Sequence, residues 1–303
     1  MEKRTRHIIF SLLLLSVFHI SLLMLFKTVK QKNEIVQVFD HYDKNPKHYK
    51  FLFLGTSHVK RGVNITIVDS SYSMAYYGQN NINAYYLLKY LLENYSNNFE
   101  YICLPNDFDY YSKQALCNLN NMFFYNHFFD YDEYGKLNNS YYQSKKEEFL
   151  LNYFPYTQLR KMLKSKTERA TKGNKDFSLK NIKTRQKIAH DYIYKGHKIN
   201  HVNDIYNPLS IVYLEMTLQL LKKYNKKAIF INYPLSNEMN LEIDAFGNYN
   251  HKSDSLIIKS KHKIIDLSKA FIKHDEYFFD AHHLNKKGGT NCSHLIQEKF
   301  NNY

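Results

Sequence analysis

The sequence predicts an α/β protein, a doubly wound parallel sheet behind one N-terminal transmembrane helix. Three observations carry that expectation. Residues 8–26 are almost wholly apolar. From residue 49 onward, short apolar runs of strand length alternate with longer stretches of helical spacing. The runs stop at Gly55, Gly78, Pro105 and Pro234, residue types that end strands. Strands alternating with helices pair in parallel beneath helices on both faces. Right-handed crossovers then make the layer doubly wound.

Residues 1–7 read as a short cytoplasmic N-terminus. The stretch from Ile8 to Phe26 is broken only by Ser11, Ser16, His19 and Ser21. At about 1.5 Å per residue it approaches the roughly 30 Å of a bilayer core. A cleaved signal peptide would carry a shorter apolar region and small residues at a cleavage site. Here the stretch ends Leu25-Phe26-Lys27, so an uncleaved anchor is expected. Lys3, Arg4 and Arg6 precede it and Lys27, Lys30 and Lys32 follow it, which nearly balances the positive-inside rule. The short N-terminus has no reason to cross, which places the bulk of the chain outside.

Residues 27–48 read as a polar linker or stalk, and residues 49–303 as the main domain. Strands are expected at Tyr49–Leu54, Ser73–Tyr77, Phe99–Leu104, Ala228–Asn232 and Lys263–Leu267. Helices are expected over 80–95, Leu209–Tyr224 and Leu284–Phe300. Residues 108–205 interrupt this rhythm and read as a largely helical insertion or cap, first Tyr-rich and then basic. From Lys161 to Lys187 there are ten Lys or Arg against Glu168 and Asp176. That run is either a solvated face or a surface for anionic polymer or lipid headgroups. No internal repeat is present.

The 303 residues are 44% hydrophobic, which excludes a disordered chain, and carry a formal charge of +14. Such a charge attracts anionic polymers and lipids. The membrane segment directs that attraction to the envelope and not to nucleic acid. The three cysteines, Cys103, Cys117 and Cys292, lack C-x-x-C spacing and imply no disulfide framework. An exported domain could form one bridge, with the pair unspecified.

Three sites carry candidate chemistry. Gly55-Thr56-Ser57-His58 closes the first strong strand, and a serine on such a turn exposes its hydroxyl for attack on an acyl carbon. Asp280-Ala281-His282-His283 lies just before the last helix. An imidazole takes the serine proton and returns it to the leaving group, and a nearby carboxylate fixes its tautomer. The three-residue spacing selects His283 as base and Asp280 as its orienting acid. A metal set of Asp280, His282, His283, Cys292 and His294 matches no standard zinc spacing. Oxyanion donors are expected from the Gly78 N–H and the Asn106 side-chain amide, each after a strand.

In this order along the chain the set resembles the SGNH (GDSL-type) hydrolase superfamily. The likeness is to its membrane-anchored branch, which includes DltD-like and alginate O-acetylation proteins. Phe53 through Asn64 looks like the first block of that branch and Asp280 through Gly288 like its last. The likeness covers roughly residues 49–107 and 209–303. Thr56 stands where the GDSL block has Asp, and Leu104-Pro105-Asn106-Asp107 lacks the glycine of the usual third block. The resemblance implies a three-layer α/β/α, flavodoxin-like fold with a five-stranded parallel sheet. It implies acyl-ester chemistry without metal or organic cofactor. By matching position Ser57 becomes nucleophile and first oxyanion donor, Gly78 and Asn106 the other donors, His283 the base and Asp280 its partner.

The expected function is O-acetyl or acyl transfer, or ester hydrolysis, on an anionic envelope glycan. The resembled branch often works with a multi-pass membrane acyltransferase, which becomes an expected partner. Two other readings stay open: a non-catalytic binding or assembly component of an envelope polymer machine, and a lipase or thioesterase.

Overall fold

In the computed structural model, residues 2–112, 128–159, 177–196, 206–245 and 251–302 are described. Cys117 and the most basic part of the 161–187 run lie outside these residues. The chain divides into two compact units, Met1–Lys44 with Leu119–Gly173, and Asn45–Asn118 with Asn174–Tyr303.

The first unit begins with helix α1 (Glu2–Gln31). Its stretch Thr5–Gln31 contains an 18-residue window with a mean hydropathy of 2.6 and is long and apolar enough to cross a membrane. The expected linker is helical instead: α2 spans Glu34–Lys44. Val36, Phe39 and Tyr42 follow at three-residue spacing, with Val36 and Tyr42 buried, so a segment that looks polar in composition is amphipathic in pattern. His19 of α1 makes a 3.1 Å hydrogen bond through Nδ1 with the Tyr156 hydroxyl.

The second unit is built on five parallel strands, β1 (Tyr49–Phe53), β2 (Ser71–Ser73), β3 (Phe99–Pro105), β4 (Lys227–Asn232) and β5 (Lys263–Asp266), in the order β2-β1-β3-β4-β5. All pairs are parallel, with Phe53 opposite both Ser73 and Cys103. Both sheet faces are covered, so the strands read as continuous apolar runs. Phe51 and Phe53 face one side, where their rings stack on Phe300 at 4.1 and 6.0 Å. Phe300 ends helix α11 (Lys286–Phe300). Helices α4 (Asn81–Tyr95) and α8 (Pro208–Lys223) pack together, joined by a 2.8 Å Tyr86–Tyr213 hydroxyl bond and by the Asn81 amide donating to the Ser210 carbonyl at 2.6 Å.

Two expectations are corrected. The second strand ends at Ser73, not Tyr77. Met74 and Tyr76 still donate to the Phe53 and Gly55 carbonyls, but the chain there bends toward Gly78, whose φ of 79° suits glycine. The expected insertion over 108–205 is not one body. Phe108, Phe177, Ala189 and Ile193 belong to the core of the sheet unit, while the described residues 128–159 group with the N-terminal helices.

The strand order reverses between β1 and β3. In open parallel sheets ligands bind at such a switch point, beyond the carboxyl ends of the strands. Gly55–Ser57 and Asn106–Asp109 are the segments that follow those two strands.

Candidate active site

The end of β1 turns sharply at Gly55, where φ is 134°. A Cβ there would lie 2.6 Å from Pro105 Cδ and 2.8 Å from Val59 Cγ2, so only glycine lets the two strand ends meet. The Gly55 N–H donates to the buried Gln79 side chain. Helix α3 (Ser57–Gly62) follows at once, capped by Thr56, whose hydroxyl accepts from the His58 N–H. Ser57 is therefore the first residue of a helix at the switch point.

The opposing loop is equally determined by sequence. Phe278 and Leu284 form an antiparallel bridge, and the Phe279 N–H donates to the His283 carbonyl at 2.8 Å. Inside this turn Asp280 Oδ1 accepts the backbone N–H groups of His282 and His283 at 3.1 and 2.8 Å. A short carboxylate side chain thus folds its own loop. Its other oxygen, Oδ2, lies 2.8 Å from His283 Nδ1. His283 Nε2 lies 2.7 Å from Ser57 Oγ. The structure brings Ser57, His283 and Asp280 into one hydrogen-bonded line, the arrangement that can move a proton off a serine hydroxyl.

Electrostatics match that use. Burial would push the Asp280 carboxyl up, but His282, His283 and the backbone donors outweigh it and hold it well below the usual carboxylate range. Burial depresses the His283 imidazole; Asp280 opposes this, and the His58 and Arg61 charges add to the depression. The depression favours the neutral imidazole, the form able to accept a proton.

Beneath the line lies a second histidine that the sequence reading left unassigned. His58 is buried, with Nδ1 2.9 Å from Asp107 Oδ2 and Nε2 3.9 Å from Asp109 Oδ2. Burial would lower its pKa, but Asp109 and Asp107 outweigh it and push it up to about 9. Asp107 also accepts the Tyr233 N–H at 2.7 Å, and Asp109 accepts from the Tyr192 hydroxyl at 3.2 Å. The Tyr192 ring stacks on His282 at 3.6 Å. The His58 ring centre is 5.4 Å from that of His283. The one available sequence signal was position: His58 and Asp107 each follow a strand flanking the switch point.

Asn106 follows β3 directly and is buried. Its Nδ2 donates one of its two hydrogens to Asp254 Oδ1 at 2.7 Å. Gly78 is exposed at the turn after β2.

Among the described residues two overlapping groups have donor atoms close enough for a metal ion, His58-His282-His283 and His58-Asp107-Asp109. A metal on His283 Nε2 would have to displace Ser57 Oγ. The wider set read from sequence is not assembled: His294 is exposed, and Cys292 packs in the core 3.6 Å from a Cβ position on Gly62. Burial pushes the Cys292 thiol up, away from the thiolate a metal needs. Cys103 and Cys292 are both free.

No protein-family model and no curated protein matches the chain.

Proposed function

We propose that the chain is a membrane-anchored serine acyl-ester enzyme working outside the cytoplasm on an envelope glycan, with O-acetyl groups as the acyl cargo. The observation that carries this reading is the line Ser57 Oγ–His283 Nε2, His283 Nδ1–Asp280 Oδ2, at 2.7 and 2.8 Å.

Ser57 Oγ attacks the ester carbonyl carbon as His283 Nε2 takes its proton. Asp280 stabilises the imidazolium that forms. The negative charge gathers on the former carbonyl oxygen, met by the Ser57 N–H at the start of α3 and by the Gly78 N–H. The intermediate collapses, the C–O bond to the leaving alcohol breaks, and His283 returns the proton to that oxygen. The acyl group is then an ester on Ser57. Water or a sugar hydroxyl attacks it by the same steps in reverse, releasing Ser57 and giving hydrolysis or transfer.

The apolar Thr5–Gln31 stretch supports a membrane anchor. The basic residues before it stay inside and the sheet unit faces out. In the transfer direction a multi-pass membrane acyltransferase supplies the acyl group, and an anionic glycan accepts it.

Comparing envelope glycan acetylation in wild-type and Ser57→Ala cells tests this reading. Loss of acetyl groups marks a transferase and gain marks an esterase. Unchanged acetylation contradicts the reading.

A further inference from the structure

Arg61 stands one helical turn after Ser57 on α3, and residues four apart share a helix face. Its guanidinium lies 4.5 Å from the centre of the Phe279 ring and 5.6 Å from that of Tyr77. Phe279 adjoins Asp280 and Tyr77 adjoins Gly78. The cation therefore sits between the two loops that frame the candidate nucleophile.

Nothing among the described residues neutralises this charge. Among the described residues no carboxylate forms an ion pair with Arg61, and its one hydrogen bond is a long 3.5 Å contact from Nη1 to the Leu284 carbonyl. Its Nε is buried with no hydrogen-bond partner. Arg185, a buried arginine of the same unit, shows the usual solution: its guanidinium forms ion pairs with both Glu238 and Asp275. A partly desolvated cation left without an anion is costly. Here it also works against protonation of His283, which each acyl step requires.

We propose that Arg61 recognises an oxyanion, carboxylate or phosphate, carried by the glycan on which Ser57 acts. The inference rests on the serine-enzyme reading for its setting. The two rings hold the guanidinium by cation–π attraction and pre-organise its fork, which suits bidentate contact with a carboxylate or phosphate. A bound anion supplies the missing counter-charge. It also cancels the repulsion on the His283 imidazolium, whose other charged and titratable neighbours are Asp280, His282 and His58. Substrates bearing the anion would thus be favoured over neutral ones at the step where His283 is protonated.

The test titrates the full-length protein in detergent with a glucuronate oligomer, a glycerol phosphate oligomer and a neutral glucose oligomer of equal length. At least one charged oligomer binds about ten-fold or more tightly than the neutral one. Arg61→Gln loses that preference, and Arg61→Lys, which keeps the charge without the fork, retains part of it. The charged oligomer that binds identifies the anion. Phenylglyoxal modification of Arg61 in the unsubstituted protein, mapped by mass spectrometry, is slowed by that oligomer and not by the glucose oligomer. This second readout needs no variant to fold. Equal binding of charged and neutral oligomers, or charged binding unaltered in Arg61→Gln, overturns the proposal. Fluorophosphonate labelling of the same samples separates the two readings. An unlabelled Ser57 sinks the enzyme reading, whereas a labelled Ser57 with no Arg61-dependent binding sinks the anion site alone.

Discussion

The carbonyl oxygen of Arg61 lies only 2.1 Å from where a Cβ on Gly289 would stand. This close approach joins α3, which begins with Ser57, to α11, which follows His283 by three residues. Ser293 reinforces it: its hydroxyl donates to the Gly62 and Gly289 carbonyls at 3.2 and 2.7 Å and accepts the Asn64 N–H at 2.8 Å. The nucleophile and its base come from opposite ends of the sheet unit, so this clamp sets their spacing. Gly289→Ala forces the helices apart. It should destabilise the fold by about 1–3 kcal/mol and slow fluorophosphonate labelling of Ser57. Denaturant unfolding and labelling kinetics measure both, and wild-type values in both would show that the contact does not position the site.

Asp280 both folds its loop and orients His283. Asp280→Asn keeps the size but offers its amide where the Nδ1 proton should be accepted, favouring the wrong tautomer. Labelling should slow on the order of 10³–10⁴-fold. A loss under about ten-fold would mean that Asp280 matters to the loop and not to the imidazole.

His58 bears a charge close to His283. Replacing it in His58→Gln removes a cation that depresses the His283 imidazole, so the pH midpoint of Ser57 labelling should move upward. The groups facing His58 are Asp107, Asp109, Asp280, His282 and His283. Leaving the buried Asp107 without its cation should also cost about 3–5 kcal/mol of stability. A destabilised variant with an unmoved midpoint would assign His58 a packing role alone.

The same residue gives a stability-versus-pH signature. A native pKa near 9 exceeds the ordinary histidine value of about 6.5, so the folded state holds the proton more tightly. The resulting stabilisation is complete below about pH 6.5 and lost as pH rises through the native value. Thermal unfolding in detergent should therefore show a midpoint falling between about pH 6.5 and 9, with that fall reduced in His58→Gln. Identical pH profiles for the two proteins would contradict the buried ion pair.

The legible parts of the sequence were local. Apolar runs bounded by Gly55, Pro105 and Pro234 revealed β1, β3 and β4, because both sheet faces are covered and the runs stay unbroken. Ser57, Asp280 and His283 were legible because each adjoins a strand end or a helix start. What escaped depended on long-range partners. His58 and Asp107 are separated by 49 positions, and nothing near either residue announces the pair. Asn106 stood out as a donor from its place after β3, but nothing near it announces its hydrogen bond to Asp254, 148 positions away. Residues 34–44 looked like a linker because charge hides the spacing of Val36 and Tyr42.

Arg61 shows the same division. Its place one turn after Ser57 was visible in the sequence, but its lack of a carboxylate partner among the described residues and its position between Tyr77 and Phe279 emerged only in three dimensions.

Fluorophosphonate labelling of the full-length protein, with the modified peptide identified by mass spectrometry, tests the central claim most directly. The account predicts one modified residue, Ser57, with labelling abolished by Ser57→Ala and strongly slowed by His283→Gln. Absence of labelling in the folded wild-type protein, or labelling that survives Ser57→Ala, would contradict it.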